Sequence, residues 1–138
     1  HTMEQLNYLE VLIRAVELSK FCPPKPQVFC VGAILFNAKG EEVATGYSRE
    51  TDAVSHAEEI AILKAKKDGT DIRGGTIVCS LEPCGRRMSR PVACAELIIK
   101  AGIKRVVYAT FEPPVFFNEP TGTAKLEAAG IEVIHHPI

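Results

Sequence analysis

Three short stretches of this 138-residue chain hold residue types suited to metal chemistry: His56-Ala57-Glu58, Pro83-Cys84, and Cys94 ten positions further on. An imidazole and two thiolates suit the borderline-soft Zn²⁺ ion. Three protein ligands leave a fourth tetrahedral position for water, which separates a catalytic zinc site from a closed structural one. Two thiolates and a neutral imidazole balance the dication, and helix N-termini at these positions favour ionised sulfur. Glu58 lies two residues beyond His56, so on a helix it points to a different side and is left to move protons. Zinc lowers the pKa of water from about 15.7 toward about 7, and a neighbouring carboxylate can pass that proton to a ring nitrogen and a leaving amine. The combination predicts hydrolytic loss of an exocyclic amino group. Singly, the residues have plainer uses. Ser55 and Glu58 fit a capping box that satisfies two backbone donors, and either cysteine alone would pass for a small buried hydrophobe.

The elements that must position these residues can be read from periodicity. Glu4 to Lys20 carries Leu6, Leu9, Val11, Leu12, Ile13, Val16 and Leu18 at helical spacing, and Pro23, Pro24 and Pro26 end it. Val28 to Phe36 is an apolar strand, and the Asn37 to Gly40 turn leads into Glu41 to Tyr47, giving a hairpin. Ser55 to Asp68 returns to helical spacing and closes at Gly69. Thr76 to Leu81 and Arg105 to Thr110 read as buried strands, and Ile131 to Ile134 as a last one. Helices fall at Pro91 to Ala101 and Thr121 to Ala129, followed by Gly102 and Gly130. The order α-β-β-α-β-α-β-α-β predicts an α/β fold. It is a three-layer α/β/α sandwich around a five-stranded mixed sheet, antiparallel at the hairpin and parallel where helices intervene. No repeat or linker divides the chain, so residues 3–138 are expected to form a single domain, with His1-Thr2 set aside.

Composition narrows the partners. With 46% hydrophobic and 24% charged residues the chain has the make-up of a globular protein, and no apolar run approaches the roughly 20 residues a membrane helix needs. Net charge is −1, and the only basic cluster is Arg86-Arg87-Met88-Ser89-Arg90. Neither a membrane role nor a nucleic-acid substrate is expected, because polyanion binding needs many positive contacts. Five cysteines without a secretion signal imply reduced thiols in the cytoplasm. Cys79 reads as core, and Cys22 and Cys30 are given no catalytic role.

His56-Ala57-Glu58 with Pro83-Cys84…Cys94 resembles the signature of the cytidine deaminase superfamily. Many members place two residues between the cysteines, whereas nine separate them here. That long spacer after Leu81-Glu82-Pro83-Cys84 is similar to the riboflavin-pathway pyrimidine deaminases, and the run Glu82-Pro83-Cys84-Gly85-Arg86-Arg87-Met88-Ser89 to the fungal type. Phe29 to Ala33, Gly46 to Glu50 and Tyr108 to Pro113 also look like that group, so the resemblance spans about Phe29 to Val133. It departs from the bacterial enzymes in two places. Phe29-Cys30-Val31-Gly32 stands where they carry Asn-Pro-x-Val-Gly, and Glu112-Pro113-Pro114 where they carry Asp-Pro-Asn. Arg90 to Ala93 also replaces a Gly-Asn-x-Pro of fungal relatives.

The resemblance implies a small-molecule substrate, a diaminopyrimidinone bearing a phosphorylated ribosyl or ribityl group. The main alternative is a cytosine, cytidine or nucleotide deaminase, and the alternative from another class is a non-catalytic zinc-stabilised module. It also implies ring contact from the Cys84 amide, a homodimer or larger homo-oligomer, and, at this length, deamination without a reductase domain. Arg87 is the candidate phosphate ligand, since a guanidinium can grip phosphate with two bonds. Ser48 and Glu112 fall at strand ends facing the expected crevice, and Ala57 sits between the histidine and the glutamate. These four are the candidate substrate contacts. Phe111, Phe116 and Phe117 read as packing residues.

Overall fold

The computed structural model describes residues 7–22, 30–51, 55–84, 93–111 and 122–138. Along them run α1 (Tyr8–Ser19), β1 (Gly32–Phe36), β2 (Glu42–Tyr47), α2 (Ala57–Lys67) and β3 (Thr76–Leu81). These are followed by α3 (Cys94–Lys100), β4 (Arg105–Thr110), α4 (Gly122–Ala128) and β5 (Glu132–His135). The order is the one the periodicity predicts. The strands form one sheet, β2-β1-β3-β4-β5, in which β1 is antiparallel to β2 and β3 while β3, β4 and β5 are parallel. A parallel neighbour needs a crossover, and α3 and α4 supply it.

Period-two alternation sends each strand's side chains to two separate cores. Ala33, Leu35, Ile77, Cys79, Val106 and Tyr108 face one way, onto Ala57, Ala61 and Ala65 of α2, Ile98 of α3 and Leu126 of α4. Ile34, Phe36, Val78, Val107 and Ala109 face the other way, onto Val11, Leu12 and Ala15 of α1. The result is the expected three-layer sandwich. Asn7 caps α1, its side chain accepting the Leu9 amide at 3.0 Å. Ile77 and Ile98 are fully buried, and each such side chain contributes about 1.5–3 kcal/mol.

Glycine sets how closely α2 lies on the sheet. A Cβ at Gly46 of β2 would fall 2.4 Å from the Ala57 carbonyl, so only a residue without one lets the start of α2 touch β2. This contact fixes the helix end that follows His56.

The sequence reading and the structure differ at several ends. Described β1 begins at Gly32 rather than Val28, and described α3 at Cys94 rather than Pro91, with residues 28–29 and 91–92 outside the described ones. Reduced thiols were expected throughout, yet Cys22 after α1 is joined to Cys30 ahead of β1, with Cα atoms 5.7 Å apart. The residues that follow α1 and those that precede β1 thus lie side by side. The Arg49 guanidinium lies against both sulfurs, at 2.6 and 3.4 Å. Among the described residues no helix is long and apolar enough to cross a membrane.

Candidate active site

The site forms where the C-terminal end of β3 meets the start of α2. Beyond Leu81 the chain stays beside β4 for one more residue, the Glu82 amide donating to the Thr110 carbonyl at 2.8 Å. It then turns through Pro83 into Cys84. On the facing side, His56 is the extended residue (φ −99°, ψ 152°) just before α2. Cys94 opens α3. Crevices at strand C-terminal ends are where open α/β sheets place their ligands.

These three residues converge. The Nδ1 or Nε2 of His56 and the Sγ atoms of Cys84 and Cys94 all lie within 4.8 Å of one another. His56 Nδ1 is 3.1 Å from Cys94 Sγ and 3.7 Å from Cys84 Sγ. The Cys94 amide donates to Cys84 Sγ at 3.2 Å, and the Ala95 amide to the Cys84 carbonyl at 3.1 Å. Both cysteines are buried and His56 is half-buried. The Cys84 thiol is held down to about 4, chiefly by its hydrogen bond with the Cys94 side chain and next by His56, against the opposing effect of burial. A sulfur that stays ionised at neutral pH is the form a metal requires. One imidazole and two sulfurs therefore fit zinc, and among the described residues no fourth His, Cys, Asp or Glu joins the group.

Glu58, the second residue of α2, is only 4% exposed. Its charge reaches Cys79 beneath it. Burial first, and Glu58 second, push that thiol well above its usual range, so Cys79 is a neutral core residue as expected. The predicted capping role of Glu58 is corrected. The cap lies one residue on, where the Glu59 carboxylate accepts the His56 amide at 3.3 Å.

Other predicted contacts are more scattered. Ser48 is 5% exposed, and its hydroxyl accepts the Val31 amide at 2.9 Å, tying the end of β2 to the approach to β1. Ala57 is fully buried at the head of α2. Arg87 and Glu112, with Arg86, Arg90, Phe116 and Phe117, lie outside the described residues. Phe111 is exposed and rests on His135, ring centroids 4.0 Å apart. Glu82 went unnoticed in the sequence except as part of a motif. It is buried, and its carboxylate accepts from both the amide and the hydroxyl of Thr123. A charged residue immediately before Pro-Cys was the available signal, and its partner 41 positions away was not readable.

The cytidine and deoxycytidylate deaminase zinc-binding region matches residues 4–110, a span that includes His56, Glu58, Cys84 and Cys94. The chain belongs to this deaminase family. Among its relatives is the diaminohydroxyphosphoribosylamino-pyrimidine deaminase of Schizosaccharomyces pombe, 41% identical over 134 residues that cover 96% of this chain and 33% of that protein. A solved structure from Thermotoga maritima, of a diaminohydroxyphosphoribosylaminopyrimidine deaminase/5-amino-6-(5-phosphoribosylamino)uracil reductase, superposes with a TM-score of 0.81 at 38% identity. That match covers 93% of this chain and 36% of the other. The Rib2 deaminase of Aspergillus oryzae, solved in complex with DARIPP, gives a TM-score of 0.80 at 26% identity, covering 95% of this chain and 84% of that one. The chain thus spans about a third of the length of the first two relatives. These relatives are riboflavin-pathway pyrimidine deaminases, and the region this family member shares with them is zinc-binding.

Proposed function

We propose that this family member is a zinc-dependent hydrolytic deaminase that replaces an exocyclic amino group of a diaminopyrimidinone by oxygen, the ring carrying a ribosyl- or ribityl-phosphate. The observation that carries the reading is the convergence of one imidazole and two sulfurs within 4.8 Å, with Glu58 buried on the helix that follows His56. In this reading His56, Cys84 and Cys94 hold the zinc. When bound, zinc supplies Lewis acidity that makes water a competent nucleophile at neutral pH.

The rest of the work falls to the chain. Glu58 takes the proton of the attacking water, returns it to the ring nitrogen, and assists the departure of ammonia, so that water and the amine exchange at one carbon. Burial of Glu58 limits exchange with bulk solvent. The Cys84 amide is assigned to the ring oxygen, Arg87 to the phosphate, and Ser48, Ala57 and Glu112 to the rest of the substrate. The names of the relatives support the substrate class. One domain, a homodimer or larger homo-oligomer, and a cytoplasmic setting complete the proposal.

The test is ammonia release from zinc-loaded protein offered a panel of aminopyrimidines, with and without a ribosyl- or ribityl-phosphate. Turnover confined to the phosphorylated diaminopyrimidinones is expected. Turnover of cytidine-type substrates instead would reassign the pocket, and a zinc-binding but inert protein, unaffected by Glu58→Gln, would reduce it to a structural module.

A further inference from the structure

We infer that Glu82 is a positioning residue for Cys84, acting through Thr123 at the head of α4. The inference rests on the zinc reading in that it takes Cys84 as a metal ligand. Glu82 stands two residues before Cys84 and makes the last backbone bond to β4, its amide to the Thr110 carbonyl at 2.8 Å, so the turn through Pro83 to Cys84 begins at this residue. The residue is 5% exposed, and its carboxylate accepts the Thr123 amide at 3.1 Å as well as the Thr123 hydroxyl. A carboxylate only accepts, so the single hydroxyl proton of Thr123 is committed to Glu82. The Tyr108 hydroxyl, 3.1 Å from Thr123 Oγ1, is therefore the donor in that contact. Burial raises the Tyr108 pKa, which keeps that proton in place. The result is a directed chain from Tyr108 on β4, through Thr123 on α4, to Glu82 on the ligand turn.

A second, independent contact presses the same two segments together. A Cβ at Gly122 would fall 1.8 Å from the Pro83 carbonyl, so the first residue of α4 lies backbone to backbone against the residue before Cys84. On its other side Cys84 is held by the amides of Cys94 and Ala95. The turn carrying Cys84 is thus clamped between the heads of α3 and α4. Glu82 is the one buried carboxylate described in that clamp, and its removal frees the α4 side. Supporting groups behind a ligand set its aim, and their loss typically weakens metal binding about 10- to 100-fold.

The experiment compares wild type with Thr123→Val, Thr123→Ser and Glu82→Gln, measuring Zn²⁺ affinity against a chromophoric chelator and the visible spectrum of the Co²⁺-loaded protein. Thr123→Val is expected to weaken zinc binding about tenfold. It should also alter the cobalt–thiolate bands and lower kcat while leaving KM unchanged, and Thr123→Ser should restore all of these. Wild-type affinity and spectrum in Thr123→Val would overturn the inference. Should that variant fail to fold, the same result in Glu82→Gln overturns it. Loss of affinity in the variants, together with a wild type that binds zinc but deaminates no aminopyrimidine, supports the positioning role while removing the proposed function.

Discussion

Among the single residues, His56, Cys84 and Cys94 are proposed to hold the metal and Glu58 to move protons. Glu58→Gln should keep the zinc content of the wild type and lose about 10²- to 10⁴-fold in kcat, because the amide cannot shuttle a proton. Metal analysis beside steady-state rates checks both halves of that statement. Cys84 offers a pH test in the metal-stripped protein. Its folded pKa of about 4 lies far below the unfolded thiol value of about 8.5, so thiolate formation favours folding fully above that upper value. The contribution is lost as pH falls from there through about 4. Urea midpoints of wild type and Cys84→Ser should therefore diverge most at high pH and converge near the lower limit. The grouping of His56 with the two cysteines was legible in the sequence because zinc ligation draws on few residue types, and their spacing set them at element ends. Glu82 was not, since a carboxylate bound to Thr123 leaves no local pattern.

Among the elements, β3 and β4 were read more sharply than the rest. Thr76–Leu81 and Arg105–Thr110 have the predicted bounds because each is a run rich in β-branched residues that begins just after a glycine-containing turn. The start of α2 slipped by one cap. Ser55-His56-Ala57-Glu58-Glu59 offers two residues a carboxylate three positions on, and the structure uses His56 with Glu59. The cap carboxylate is therefore that of Glu59, not Glu58. The Cys22–Cys30 link was also illegible, because the nearness of the end of α1 to the start of β1 is a tertiary property. The seating of α2 on β2 yields a sharp prediction. Gly46→Ala puts a methyl 2.4 Å from the Ala57 carbonyl, and backbone cannot yield there as a side-chain tip would. A loss of about 1–3 kcal/mol by denaturant titration is expected, with reduced zinc affinity because His56 leads into the displaced helix end.

At the scale of the whole molecule, a sheet with α1 on one face and α2, α3 and α4 on the other brings parts of the chain 38 positions apart to one point, His56 against Cys94. The parallel strands β3 and β4 end together beside that point, so the crevice follows from topology, and the chemistry from the residues placed in it. Family membership agrees with both. On the proposed function this fold builds a zinc centre of one nitrogen and two sulfurs with a corner left for solvent. X-ray absorption at the zinc edge of the loaded protein tests it most directly. Two sulfur scatterers at about 2.3 Å and two nitrogen or oxygen scatterers at about 2.0–2.1 Å are expected, with one sulfur lost in Cys94→Ser. A shell without sulfur, or a full two-sulfur shell persisting in Cys94→Ser, would contradict it.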